Sequence, residues 1–284
     1  MKVSLYISSS LSCRHALIRL AMIRLAMTIA LLGCIAAAAA PITKDKEKEH
    51  EGTNVDSGSF GIFQNGHRVG TETFSIYQVG NGSVIRSEFK TEHTPPDLQS
   101  SEMQLTANGD IRRYEWKEVS PEKAESLLLP NEEFLTQKWR MGEEKEHDQP
   151  YLLPVSTRIL DDYFFVHREV LAWKFLASAC KQDQGVVQCP LKQRAQFATI
   201  NPHQHSSALL SIEFLGREKM NLKGVQQDLL KLELKTEAQT WQLWLDNQFK
   251  VQRMAVGART HLWIVTRRCS GLRCRPTPRE MSKA

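Results

Sequence analysis

One run constrains the fold more than any other part of this 284-residue chain: ILDDYFFVHREVLAWKFLA, Ile159 to Ala177. Nearly everything downstream of residue 57 alternates like β-structure, and this run does not. At about 100° per residue it reads as a helix over about 160–179. Phe164, Leu171 and Phe175 cluster on one side of that helix, and Phe165, Ala172, Leu176 and Trp173 fall on the other. Its polar stripe is narrow: Tyr163, His167, Lys174 and Ser178. Arg168 and Glu169 interrupt the apolar remainder, and Asp161 or Asp162 is placed to cap the first turn. A helix apolar most of the way round has to be covered on more than one side. A flat sheet covers one face only, so the run demands a curved sheet that wraps it.

The rest of the chain supplies such a sheet. Asn65-Gly66 sits between the alternating segments SFGIFQ and HRVGTETFSIYQ, a strong hairpin signal. Phe60 and Ile62 share a face of the first segment, and Phe74 and Ile76 share one of the second; Gly70 marks a bulge or bend. After the Gly80-Asn81-Gly82 turn, Ile85, Ser87 and Phe89 face one way and charged residues the other, the pattern of an antiparallel strand wet on one side. Strands resume beyond the helix, where Leu230, Leu232 and Leu234 align against Lys231, Glu233 and Lys235. GEEKEHDQP reads as an acidic surface loop. The expectation is a mainly β fold: one strongly curved antiparallel sheet, an incomplete barrel of roughly 10–12 strands, around one central α-helix.

Flanking this body (residues 58–266) are three other segments. MIRLAMTIALLGCIAAAAAP has the basic start, apolar core and small-residue run of a secretory signal, which assigns residues 1–40 to export, with Met22 as an alternative start. Signal cleavage, lipidation at Cys34 in Leu31-Leu32-Gly33-Cys34, and retention as an anchor are competing outcomes; the last two would tie the chain to a membrane. Residues 41–57 read as a charged linker and 267–284 as a basic tail. Basic residues concentrate at the two ends and leave the body acidic, which disfavours a nucleic-acid partner. Cys180, Cys189, Cys269 and Cys274 remain for disulfides; three connectivities are open, and the two local pairs are the simplest.

The hairpin SFGIFQNGHRVGTETFSI, together with ILDDYFFVHREVLAWKF and WLDNQFKVQRM, resembles segments of an uncharacterised family of exported bacterial β-sheet proteins, a domain of unknown function. The resemblance spans most of residues 58–266, and its motifs are structural. More distantly the arrangement is similar to the lipoprotein carriers LolA and LolB. That likeness implies a curved sheet, a helix over its mouth, and acyl chains held between them.

No nucleophile elbow, zinc-protease helix, phosphate loop or dinucleotide fingerprint occurs. His203-Gln204-His205 is the best metal candidate. In a strand both imidazoles would share a face, but Pro202 and the polar surroundings suggest an exposed turn. A zinc site using the thiolates of Cys180, Cys189, Cys269 and Cys274 is the rival to the disulfides, without the short knuckle spacing of C-x-x-C. His167 reads as a histidine at the helix edge. Trp241 and Trp244 point to opposite faces of one strand, so at least one belongs to the core. The functional expectation is a non-enzymatic exported envelope protein without cofactor. It would bind a lipid, lipoprotein or other apolar partner along Phe164, Phe165, Leu171, Trp173, Phe175 and Leu176. The rivals are an interaction module of the envelope with a filled core, partnered by another envelope protein, and a metal-dependent hydrolase using His203 and His205.

Overall fold

The computed structural model describes residues 52–183, 186–222, 224–258 and 261–268. The signal segment, Cys34, Cys269 and Cys274 lie outside the described residues. Eight strands precede the helix region: β1 (Thr53–Gln64), β2 (His67–Val79), β3 (Gly82–Thr91), β4 (Leu98–Leu105), β5 (Ile111–Ser120), β6 (Glu125–Asn131), β7 (Phe134–Arg140) and β8 (His147–Tyr151). The short β9 (Arg158–Ile159) leads to helix α1 (Val166–Ala179) and the small hairpin β10 (Lys181–Asp183) and β11 (Val186–Gln188). The chain ends in β12 (Arg194–Asn201), β13 (Ser206–Leu222), β14 (Val225–Lys235), β15 (Thr240–Leu245), β16 (Val251–Ala258) and β17 (His261–Arg268).

Fifteen of these strands make one sheet, in the order β8-β7-β6-β5-β4-β3-β2-β1-β17-β16-β15-β14-β13-β12-β9. Two antiparallel meanders thus join where β17 pairs with β1, Phe60 opposite Arg267. Only β9 against β12 is parallel. The hairpin signals are realised as read: Asn65 and Gly66 both take positive φ (50° and 83°), the backbone a two-residue turn between right-twisted strands needs. The bulge falls beside Gly70, where the β1–β2 register slips between Ile62 and Phe63. A side chain on Gly70 would lie 3.0 Å from the Phe89 ring.

Curvature follows from what touches the helix. Glu72 of β2 accepts its first N–H groups, His167 meets Tyr114 of β5 edge-on, Phe165 meets Trp241 of β15, and Glu169 pairs with Arg267 of β17. In the strand order β5 and β15 stand seven steps apart. On a flat sheet that is roughly 34 Å, against about 10–12 Å for the width of a helix. The sheet therefore curls round α1. Phe164, Phe165, Leu171, Phe175 and Leu176 are at most 4% exposed, as a wrapped helix requires. Trp173 is only partly buried and turns its indole N–H to the Phe249 carbonyl, 2.6 Å away.

Several expectations need correction. There are seventeen strands among the described residues, more than the expected 10–12. The excess comes from strands too short or too polar to show alternation. β8 lies inside the supposed acidic loop, and its Pro150 is tolerated because β8 is a sheet edge. The helix begins at Val166, because Ile159 belongs to β9 and the Asp161 carboxylate accepts the Tyr163 N–H in a turn that precedes α1. Neither Asp161 nor Asp162 caps it. Glu72, far away in sequence, does, with Oε2 2.8 Å from Phe165 N and Oε1 3.2 Å from Val166 N. Of the expected polar stripe, His167 is buried instead; with Arg168 and Glu169, which interrupt the apolar remainder, it is among the most buried polar residues described, at 0–1% exposure. The sheet also reaches beyond residues 58–266 at both ends. β1 starts at Thr53, and its Asp56 pairs with Arg267, expected in the tail, at 2.9 Å. One of the two expected local pairs is realised: Cys180 and Cys189 form a disulfide that ties the end of α1 across the β10–β11 hairpin.

Candidate functional site

The four-residue turn between β12 and β13 enters the hollow of the first meander. Asn201 shapes it, its side-chain oxygen accepting the N–H groups of His203 (3.1 Å) and Gln204 (3.3 Å). Gln137 of β7, fully buried, anchors it by donating to the Pro202 carbonyl (2.6 Å) and to Ser126 Oγ (2.8 Å), while accepting from Tyr151 OH (2.9 Å). Asp162 ties down the other flank, accepting from Asn201 Nδ2 (2.8 Å) and Gln204 Nε2 (2.6 Å).

His203 is consequently not an exposed loop residue. Its ring stacks on Trp116 at 3.9 Å, with Tyr163 at 4.6 Å. Nδ1 donates to Asp161 Oδ2 (2.7 Å), and Nε2 meets the Gln99 carboxamide at 3.1 Å. Asp161 is wholly buried, yet its carboxyl lies below the usual carboxylate range. Burial opposes its charge, but His203, together with the Tyr163 N–H, outweighs that. Tyr114 OH also donates to it, at 2.8 Å. His205 is turned elsewhere, onto Trp139 (4.4 Å), which also stacks on His147 (4.2 Å). The two histidines stand on a turn rather than a strand and are committed to different partners. Among the described residues no group of three or more His, Cys, Asp or Glu is arranged to hold a metal ion.

Next to this turn lies a cleft of about 390 Å³. Trp116, Trp139 and Tyr163 form its aromatic walls, and Glu118, Glu122, Glu125 and Asp162 supply carboxylates. Glu125 is held by Arg140 at 2.5 Å. Glu118 accepts the backbone N–H of Glu122, and its carboxyl is raised above its ordinary value by burial and by the negative charges of Glu122 and Asp97. The Trp116 indole N–H and His205 Nδ1 have no hydrogen-bond partner among the described residues.

The expected apolar groove is different. Beside α1 there is a recess of about 40 Å³, bordered by Met103, Leu105, Ile111, Thr157, His167 and Leu171. That is the scale of a water molecule, whereas ligand pockets run to about 300–1,000 Å³. Burial holds His167 down to about 4, so its imidazole is neutral near pH 7.

Sequence reasoning missed Gln99, Trp116, Glu118 and Glu122. A signal did exist. Tyr114, Trp116 and Glu118 occupy alternate positions of β5 and so share the concave face. A glutamate continuing an inward aromatic series marks the place where that face stops being core.

No protein-family model matches the chain, and no curated protein matches it. Among solved structures, it is similar to a beta-barrel-like protein of the domain of unknown function DUF1849 from Brucella abortus. The TM-score is 0.47 at 9% identity, over 74% of this chain and 95% of that one.

Proposed function

We propose that this protein is a non-enzymatic binding module of the cell envelope with a filled core, and that it holds its partner in the cleft beside the 201–206 turn. The contrast in free volume carries this reading: about 40 Å³ in the recess beside α1, about 390 Å³ in the cleft. An acyl chain would have to displace Phe164, Phe175 or Leu171, which fill the interior at 0–2% exposure. The lipid-carrier reading therefore gives way to the interaction module. The two histidines of the hydrolase reading turn to different partners, His203 to Asp161 and Trp116, His205 to Trp139, which favours the binding module. Export rests on the apolar segment before Pro41 and accords with the Cys180–Cys189 disulfide. Among the described residues no helix is long and apolar enough to cross a membrane.

Native mass spectrometry and solvent extraction after mild purification test the reading. The expected result is a protein mass free of lipid. A stoichiometric lipid, lost when Phe175→Trp overfills the interior, would restore the carrier.

A further inference from the structure

The cleft has a chemical bias that its volume alone does not convey. Four carboxylates line it, and no Lys or Arg does among the described residues. Two of the four are answered from within the chain: Glu125 by Arg140, and Asp162 by the amides of Asn201 and Gln204. Glu118 and Glu122 form no ion pair among the described residues; Glu122 disfavours ionisation of Glu118, and His203, already held by Asp161, offsets this only in part. The buried acids Asp56 and Glu169 are not left in this state. Asp56 has Lys250 at 2.6 Å and Arg267 at 2.9 Å, and Glu169 has Arg267 at 2.5 Å. A second observation is independent of charge. Trp116 is only 4% exposed, forms a wall of the cleft, and has an indole N–H without a partner. A buried donor left unmatched is uncommon, and an acceptor pressed into this wall of the cleft would satisfy it.

Resting on the reading of the cleft as the partner site, we propose that it recognises an organic cation. The ligand would be an alkylammonium or guanidinium group with a hydrogen-bond acceptor a few bonds away, as in a lysine or arginine residue of a peptide. The cation meets Glu118 and Glu122 in charge-assisted hydrogen bonds. The acceptor, a peptide carbonyl, takes the Trp116 N–H. Tyr163 and Trp139 border the aliphatic stem, a setting in which aromatic rings favour a cation over a neutral group. Free diamines share the cation but lack the carbonyl, so the two sources can be told apart.

The test is titration calorimetry on the purified chain with four probes: Nα-acetylarginine amide, its neutral isostere Nα-acetylcitrulline amide, cadaverine, and N-acetylglucosamine. The arginine probe is expected to bind about tenfold or more tightly than the citrulline probe, and more tightly than cadaverine. Its affinity should fall about tenfold or more in Glu118→Gln/Glu122→Gln, and fall with added salt. An equal preference for citrulline, tighter binding of N-acetylglucosamine, or absence of arginine binding would overturn the proposal. So would arginine binding that the double variant leaves unchanged, since the cation site would then be elsewhere. A co-purifying lipid would refute the filled-core reading without touching these ratios, so the two can fail separately.

Discussion

Around α1, acids are matched. Glu169 faces Arg267, Arg267 also holds Asp56 and the Val251 carbonyl, and Glu72 is engaged by Ser87 Oγ and two helix N–H groups. In the cleft, Glu118 and Glu122 form no ion pair among the described residues while sharing one small space, and His203, held by Asp161, only partly offsets the charge there. The same residue type thus serves opposite ends within one concave surface. Where the sheet wraps the helix, the carboxylates of Asp56 and Glu169 are spent with Arg267 on fixing how the helix sits, since a buried carboxylate left unpaired is costly to keep. Where the sheet opens, solvent tolerates the mismatch, and the negative potential stays available to something outside the chain. Matching separates architecture from binding surface here better than burial does.

Breaking the match should have the largest effect. Arg267→Met strips donors from Asp56, Glu169 and the Val251 carbonyl at once, and is expected to lower unfolding free energy by about 3–5 kcal/mol in urea titrations. Adding Glu169→Met should recover part of that loss, because two apolar side chains then pack where one buried carboxyl was stranded. Failure of the second change to recover anything would mean that the Asp56 contact, not the helix contact, is the important one.

The next effect is a matter of pH. Burial raises Glu72 from 4.5 to about 7, against the pull of Ser87 and the helix N–H groups. Between those values the folded state keeps a proton that the unfolded chain has released. This contribution to stability therefore grows as pH falls from about 7 to 4.5. His167 has the opposite sign: its folded value of about 4 lies below 6.5, so its contribution is present above pH 6.5 and is lost as pH falls toward 4. In the native chain the two oppose each other. Glu72→Gln removes one side only. Relative to the parent, the variant should lose about 2–3 kcal/mol on going from pH 6.5 to 4.5, read from the difference between two urea-unfolding series. A flat difference would show that Glu72 is already ionised in the fold.

These residues also show what the sequence could and could not reveal. Alternation and turn dipeptides made the sheet readable, and the many-sided apolar run made its curvature readable, because both depend on local periodicity. Strand β8 escaped because HDQPY carries no apolar rhythm. His167, Arg168 and Glu169 were misassigned to solvent or treated as interruptions. Their burial depends on Arg267, Trp241 and Tyr114, which are distant in sequence. Glu72 and Glu118 did carry a trace, each being an acid on the inward register of a strand. That trace says a polar group faces the hollow, but not whether a partner will be waiting there. For Glu72 the partner is the start of α1; Glu118 has the Glu122 N–H but no ion pair among the described residues. The cleft itself was invisible, since it exists only once the 201–206 turn is inserted among β4, β5 and β7.

A smaller loss is expected at the edge of the matched region. The disulfide closes a loop with nine residues of sequence separation, for which chain-entropy arguments give about 2–3 kcal/mol. Cys180→Ser/Cys189→Ser should lower the thermal midpoint accordingly while leaving arginine binding in the cleft unchanged. Loss of that binding would show that the end of α1 and the cleft are coupled, which would undercut their treatment as separate regions.

The smallest effect is the most discriminating. In the matched region removal of a charge destabilises; in the cleft it should not. Glu118→Gln/Glu122→Gln leaves the shape of the cleft intact and removes a repulsion that burial and Asp97 add to. Solvent reaches these carboxylates, so the gain is screened, and unfolding free energy should stay level or rise by no more than about 0.5 kcal/mol. The same variant is expected to lose cation binding by about tenfold or more. A change that costs binding and not stability is the mark of groups held ready for a ligand. If stability instead fell by about 1 kcal/mol or more, Glu118 and Glu122 would have to be counted with Glu169 as part of the scaffold, and the difference between the two regions would be one of solvent access alone.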